Sequence, residues 1–168
     1  MDVDPQSLLL TTAELSVAFA GFASLVGVFA SRRQGAVSDE ISDFLRSLLD
    51  YGLLAIWGCL LPFVPMLAGA GDAAVWAVSS GVLGLTRVAY ILISHRWYRA
   101  IMKRGVVLNR RGRWIMTGDA LALAAQLLNT GWLWTPSLFV HYASVLWLLT
   151  GAALCFRWVV QAAWSGEG

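Results

Sequence analysis

Apolar residues in this chain arrive in blocks about twenty long. A helix rising 1.5 Å per residue needs about that length to cross ~30 Å of hydrocarbon. The blocks fall at about 8–30, 46–68, 73–94, 114–134 and 137–160. A water-soluble domain would break them with charge, since about a quarter of its residues are charged; here 13% are, against 58% hydrophobic. Nine Trp residues fit the same solvent, because indole favours the headgroup boundary. The pattern predicts an all-α, polytopic transmembrane bundle of five spans in a single domain covering 1–168. The alternative has four spans, with 114–134 lying at the interface.

The fourth block is the weak one. It carries Asp119, Gln126 and Asn129 among Leu and Ala, so it needs neighbours that cover its polar side. In the second, Pro62 and Pro65 predict a kink or an early stop.

Cytoplasmic loops retain Lys and Arg, which orients the chain. Arg32 and Arg33 follow the first block, and Arg157 ends the fifth. Arg96, Arg99, Lys103, Arg104, Arg110, Arg111 and Arg113 lie between the third and fourth. The opposite side has only Asp2, Asp4 and Asp72. Five spans gather every basic segment on one face, with the N-terminus outside and the C-terminus in the cytoplasm. The expected location is a cell (plasma or inner) membrane. The acidic start MDVDPQS lacks the positive charge of a cleaved export signal and reads as an anchor. The basic loop is expected to extend the third helix to Gly105 and turn back through Asn109–Gly112. Its cations suit anionic lipid headgroups, and nucleic acid is not an expected partner.

At 100° per residue the first span has a small face, Ser16, Ala20, Ala23 and Gly27, and a bulky one, Leu15, Phe19, Phe22, Val26 and Phe29. Small stripes let helix backbones approach closely in lipid, within one chain or between copies. A charged stripe, Asp39, Asp43, Arg46 and Asp50, opens the second span behind Ser38 as a candidate N-cap. The third, fourth and fifth spans each carry a polar or small side: Ser80, Gly84, Arg87 and Ser94; Asp119, Ala122, Gln126 and Thr130; Ser137, His141, Ser144, Gly151 and Cys155.

Each span holds one ionisable residue: Glu14, Asp50, Arg87, Asp119 and His141. Such groups cost ~3 kcal/mol or more in a bilayer unless they pair or meet water. Depth predicts an inner structural cluster, Arg87 bridging Asp50 and Asp119, and an outer Glu14–His141 pair, with Gln126 and Asn129 between. No phosphate loop, nucleophile elbow or metal-ligand spacing is present, so no catalytic residue, metal or cofactor is expected. Cys59 and Cys155 lie inside apolar blocks as small core residues.

Two functions fit. One is an oligomeric channel or transporter subunit, moving protons or small ions along Glu14, His141, Gln126 and Asn129. The other is a non-catalytic scaffold, sensor or anchor in a larger membrane complex. Either way a homo-oligomer or a membrane partner is expected.

Overall fold

The computed structural model describes residues 4–34, 39–103, 110–131 and 135–165. All regular structure among them is helical: α1 Pro5–Gln34, α2 Asp39–Leu60, α3 Phe63–Leu67, α4 Asp72–Lys103, α5 Arg110–Leu128 and α6 Leu138–Ser165. The all-α class read from the apolar blocks is therefore the observed one. Four segments are long and apolar enough to cross a membrane: Pro5–Val28, Leu45–Leu67, Asp72–Ser94 and Leu138–Gln161.

The fourth block yields less than its length in sequence. Helix α5 ends at Leu128, and its apolar part is Trp114–Leu128, about 22 Å of rise. Of the turn expected at Asn109–Gly112, residues 110–112 already belong to α5. Helix α4 runs to Lys103; Arg104, Gly105 and Asn109 lie outside the described residues.

The chain divides into two compact units, Met1–Leu60 with Leu148–Gly168, and Leu61–Trp147. In the first, Asp4 starts α1: its carboxylate oxygens accept from the amides of Gln6 and Ser7 at 3.2 and 3.1 Å. Pro5 follows as the first helical residue, where its missing N–H costs nothing. The small face of α1 then packs on α2. Ser16 and Ala23 are wholly buried. A Cβ added to Gly52 of α2 would stand 3.7 Å from the Ser16 carbonyl oxygen and 3.9 Å from Ala20 Cβ. On Gly27 it would meet a Leu45 methyl at 3.1 Å. Close backbone approach thus replaces side-chain interdigitation along this contact.

The end of α6 completes this unit. Ala152 and Cys155 join Ala23 and Leu48 in a core flanked by Leu45, Tyr51, Phe156 and Trp158. Phe19 meets Phe156 edge-on with centroids 6.0 Å apart. Tyr51 lies against Gly151, where an added Cβ would stand 3.0 Å from its ring. Leu15 and Phe22, on the bulky face of α1, are exposed, as side chains that face lipid should be.

The second unit opens at the proline break. Pro62 lacks an N–H and disfavours helical geometry at Leu61, so α2 stops at Leu60. After the short α3 the chain leaves by a Schellman turn. Gly69 adopts φ 75°, its N–H donates to Met66 O at 3.0 Å, and the N–H of Ala70 donates to Pro65 O at 3.0 Å. Helix α4 then packs on α3 and α5. At Gly84 an added Cβ would come within 2.8 Å of Leu127 Cδ2, which brings the α4 backbone close to the end of α5.

Candidate polar site in the α4–α6 unit

The polar sides of α4, α5 and the first part of α6 meet inside the second unit. Ser80, Gln126, Asn129 and His141 are each fully buried. Their bonds form one connected chain, and its orientation can be read from a backbone anchor.

Asn129 stands just past α5, and Ser137 just before α6. Asn129 Oδ1 accepts from the amide of Ser137 at 3.0 Å, and Nδ2 donates to the carbonyl of Ser137 at 3.0 Å. A backbone N–H can only donate, so this pair settles which end of the amide is oxygen. Nδ2 also donates to Ser80 Oγ at 2.8 Å. Ser137 in turn caps α6, its Oγ accepting from Val140 N at 3.5 Å.

Ser80 Oγ is 3.2 Å from His141 Nδ1, and Gln126 Nε2 is 3.1 Å from the same nitrogen. Ser80 Oγ, which accepts from Asn129, keeps both its own O–H and a second lone pair. With Gln126 in this orientation its N–H donates to Nδ1, and the ring proton then sits on Nε2. Trp76 covers the imidazole, ring centroids 5.9 Å apart and planes tilted by 44°. Gln126 Oε1 is buried and has no hydrogen-bond partner among the described residues. Turning this amide end for end would offer Nδ1 an acceptor instead of a donor. The site can therefore receive a proton at Nδ1 once the Gln126 amide turns and the Ser80 O–H points elsewhere.

A second layer lies seven residues away along both α4 and α5, about 10 Å at helical rise. Arg87, 4% exposed, donates from Nη2 to the carbonyl oxygen of Asp119 at 3.1 Å and to its Oδ1 at 3.3 Å. Trp147 of α6 donates its indole N–H to the same Oδ1 at 2.9 Å. Gly118 makes room for this: a Cβ there would overlap the Trp147 ring. Between the layers Ser144 Oγ donates to Ala122 O at 3.3 Å. The polar side of α5 is thus covered by α4 and α6, the condition its sequence sets for a membrane-embedded helix.

Of the expected inner cluster, one pair lies within a single unit. Within the second unit Arg87 takes Asp119. Asp50 belongs to the first unit and lies 3.8 Å from Arg46 Nε, one turn back along α2. The remaining members of that charged stripe, Asp39 and Asp43, fall outside the described side chains, and the candidate N-cap Ser38 lies outside the described residues. The two members of the expected Glu14–His141 pair lie in different units. Glu14 is exposed on α1, whereas His141 is enclosed by Ser80, Gln126 and Trp76. The side chains of Arg96, Arg99, Lys103, Arg110, Arg111 and Arg113, and all of Arg104, lie outside the described residues.

Sequence reasoning placed Ser80 only on a polar helix side and did not foresee its central position. The Asn129–Ser137 clamp and the Gly118–Trp147 seat were also missed. Their only signals were an asparagine just ahead of Gly131 and a glycine beside Asp119. Among the described residues no group of three or more His, Cys, Asp or Glu side chains has metal-binding geometry.

Compared with known protein families, with curated proteins and with solved structures, the chain finds no match. What the fold defines is an all-α protein with several helices suited to span a membrane.

Proposed function

We propose that this chain is a multi-pass cell-membrane protein that moves protons or small ions, with His141 as the proton-accepting group. The observation that carries this reading is the wholly buried imidazole, set among Ser80, Gln126 and Asn129 on helices suited to a bilayer. Burying a titratable ring in such surroundings is costly unless its polar atoms are met, and groups of this kind mark ion and proton paths. Gln126 can serve either protonation state by rotating its amide. In this reading five spans keep all the basic segments cytoplasmic, and α5 crosses as the short span sheathed by α4 and α6. The basic residues from Arg96 to Arg113 then face the anionic lipid of the inner leaflet.

The test is proton flux in proteoliposomes under an imposed pH gradient. Wild-type vesicles should exceed empty ones, and His141→Phe should remove the excess while the protein stays helical and inserted. Absent flux, or flux unchanged by the substitution, sinks the proposal.

A second reading, a non-catalytic subunit of a membrane complex, is favoured by the same bonds seen differently. Arg87–Asp119–Trp147 and Asn129–Ser137 pin three helices together, and a pinned bundle suits an anchor. That reading expects no flux and a membrane partner that co-purifies with the chain.

A further inference from the structure

Within the first unit α1 is covered by α2 and by the end of α6, which leaves the face turned away from both to meet something else. On that remainder Thr11, Glu14, Ala18, Gly21, Leu25 and Val28 are all exposed. They recur at alternating intervals of three and four, the period of a left-handed helix pair. At Gly21 an added Cβ would meet nothing within 4 Å, so a second helix can come close there.

Glu14 argues against lipid as the cover. It lies about 13 Å along the helix from Pro5, inside the Pro5–Val28 segment suited to cross the membrane. It makes no hydrogen bond or ion pair among the described residues. Acyl chains offer it no donor, and a charged carboxylate at such depth costs ~3 kcal/mol or more.

We propose that α1 pairs with α1 of a second copy of this chain along this stripe, with Glu14 hydrogen-bonded to its counterpart. A second copy inserted with the same topology presents the same carboxyl at the same depth across a two-fold axis. Such an isologous contact requires a self-complementary patch, and this stripe is one. The two carboxyls complement each other when they hold a proton between them, one donating its O–H and the other accepting. Ala18 and Gly21 let the backbones approach beside the polar pair, and Leu25 and Val28 close the apolar end. Unlike a foreign partner, a second copy supplies the matching group without any further assumption. The inference stands apart from the transport reading, since association is measured without flux.

The experiment is energy transfer between donor- and acceptor-labelled full-length chains in vesicles, followed as the protein is diluted with lipid. Wild type should show a dimer that dissociates on dilution. Glu14→Leu and Gly21→Leu should each move the midpoint about ten-fold toward higher protein-to-lipid ratio, the size expected for one interhelical polar contact or one close backbone approach. Glu14→Gln should stay within about three-fold of wild type, because two amides also pair with each other. Leu15→Ala, exposed but off the stripe, should change nothing. Helicity by circular dichroism checks that each variant is folded; neither Glu14 nor Gly21 supports a neighbour in the chain. A monomer at every dilution overturns the proposal. So does a dimer that Glu14→Leu and Gly21→Leu both leave unchanged, or association that appears only with a different protein present.

Discussion

Arg87 holds Asp119 twice, through the carboxylate and through the main-chain carbonyl of the same residue. Arg87 is almost fully buried, while the Asp119 side chain is 26% exposed, so the arginine is the member that most depends on the pair. Losing one partner of a buried pair costs about 3–5 kcal/mol, and partial exposure of Asp119 makes this an upper range. Arg87→Met should therefore destabilise the protein strongly. Asp119→Asn in the same chain should recover part of the loss, since it removes the stranded charge and keeps an oxygen for Trp147. Reversible unfolding in mixed micelles measures both; a double variant no more stable than Arg87→Met would count against the pairing.

Gly118 and Trp147 predict a second coupling. Gly118→Ala should push the indole away from Asp119, at about 1–3 kcal/mol for overpacking. Replacing Trp147 by Leu removes the obstacle along with the hydrogen bond. The Gly118→Ala change should then cost much less in the Trp147→Leu background than in the wild type. Equal cost in both backgrounds would mean that the glycine serves something else.

The tautomer of His141 is open to direct observation. Nitrogen-15 spectra of the labelled imidazole should show the proton on Nε2 and a bare Nδ1 near neutral pH. A proton on Nδ1 would require Gln126 to present Oε1, while Asn129 would still donate to Ser80. Gln126→Leu should shift the Nδ1 signal more than the Nε2 signal.

In the first unit Gly52 sets how near α2 comes to α1. Gly52→Val should separate the helices at Ser16 and Ala20 and destabilise the fold by about 1–3 kcal/mol. The same change at Gly21, where nothing stands within 4 Å, should leave the stability of a single chain nearly unaltered. Unfolding of dilute protein in micelles separates the two cases.

Much of the architecture was legible because lipid imposes simple demands. Block length predicted the long helices, and Pro62 predicted the end of α2. The period of 3.6 sorted α1 into a small face and a bulky one, and the polar sides of α4 and α6 turn inward as read. What could not be read was azimuth between helices. Depth puts Asp50 and Asp119 at similar levels, but only the packing of α4 on α5 gives Arg87 its carbonyl and carboxylate from one residue. Nothing in the sequence singled out Trp147, whose N–H is committed to Asp119.

Asn129 grips Ser137 with both halves of its amide, so the start of α6 is set by a side chain rather than by the length of chain joining the two helices. An insertion in that connection would lengthen the tether without sliding His141 past Ser80 and Gln126. One substitution at 129 would let it slide: Asp cannot donate, and Leu can neither donate nor accept.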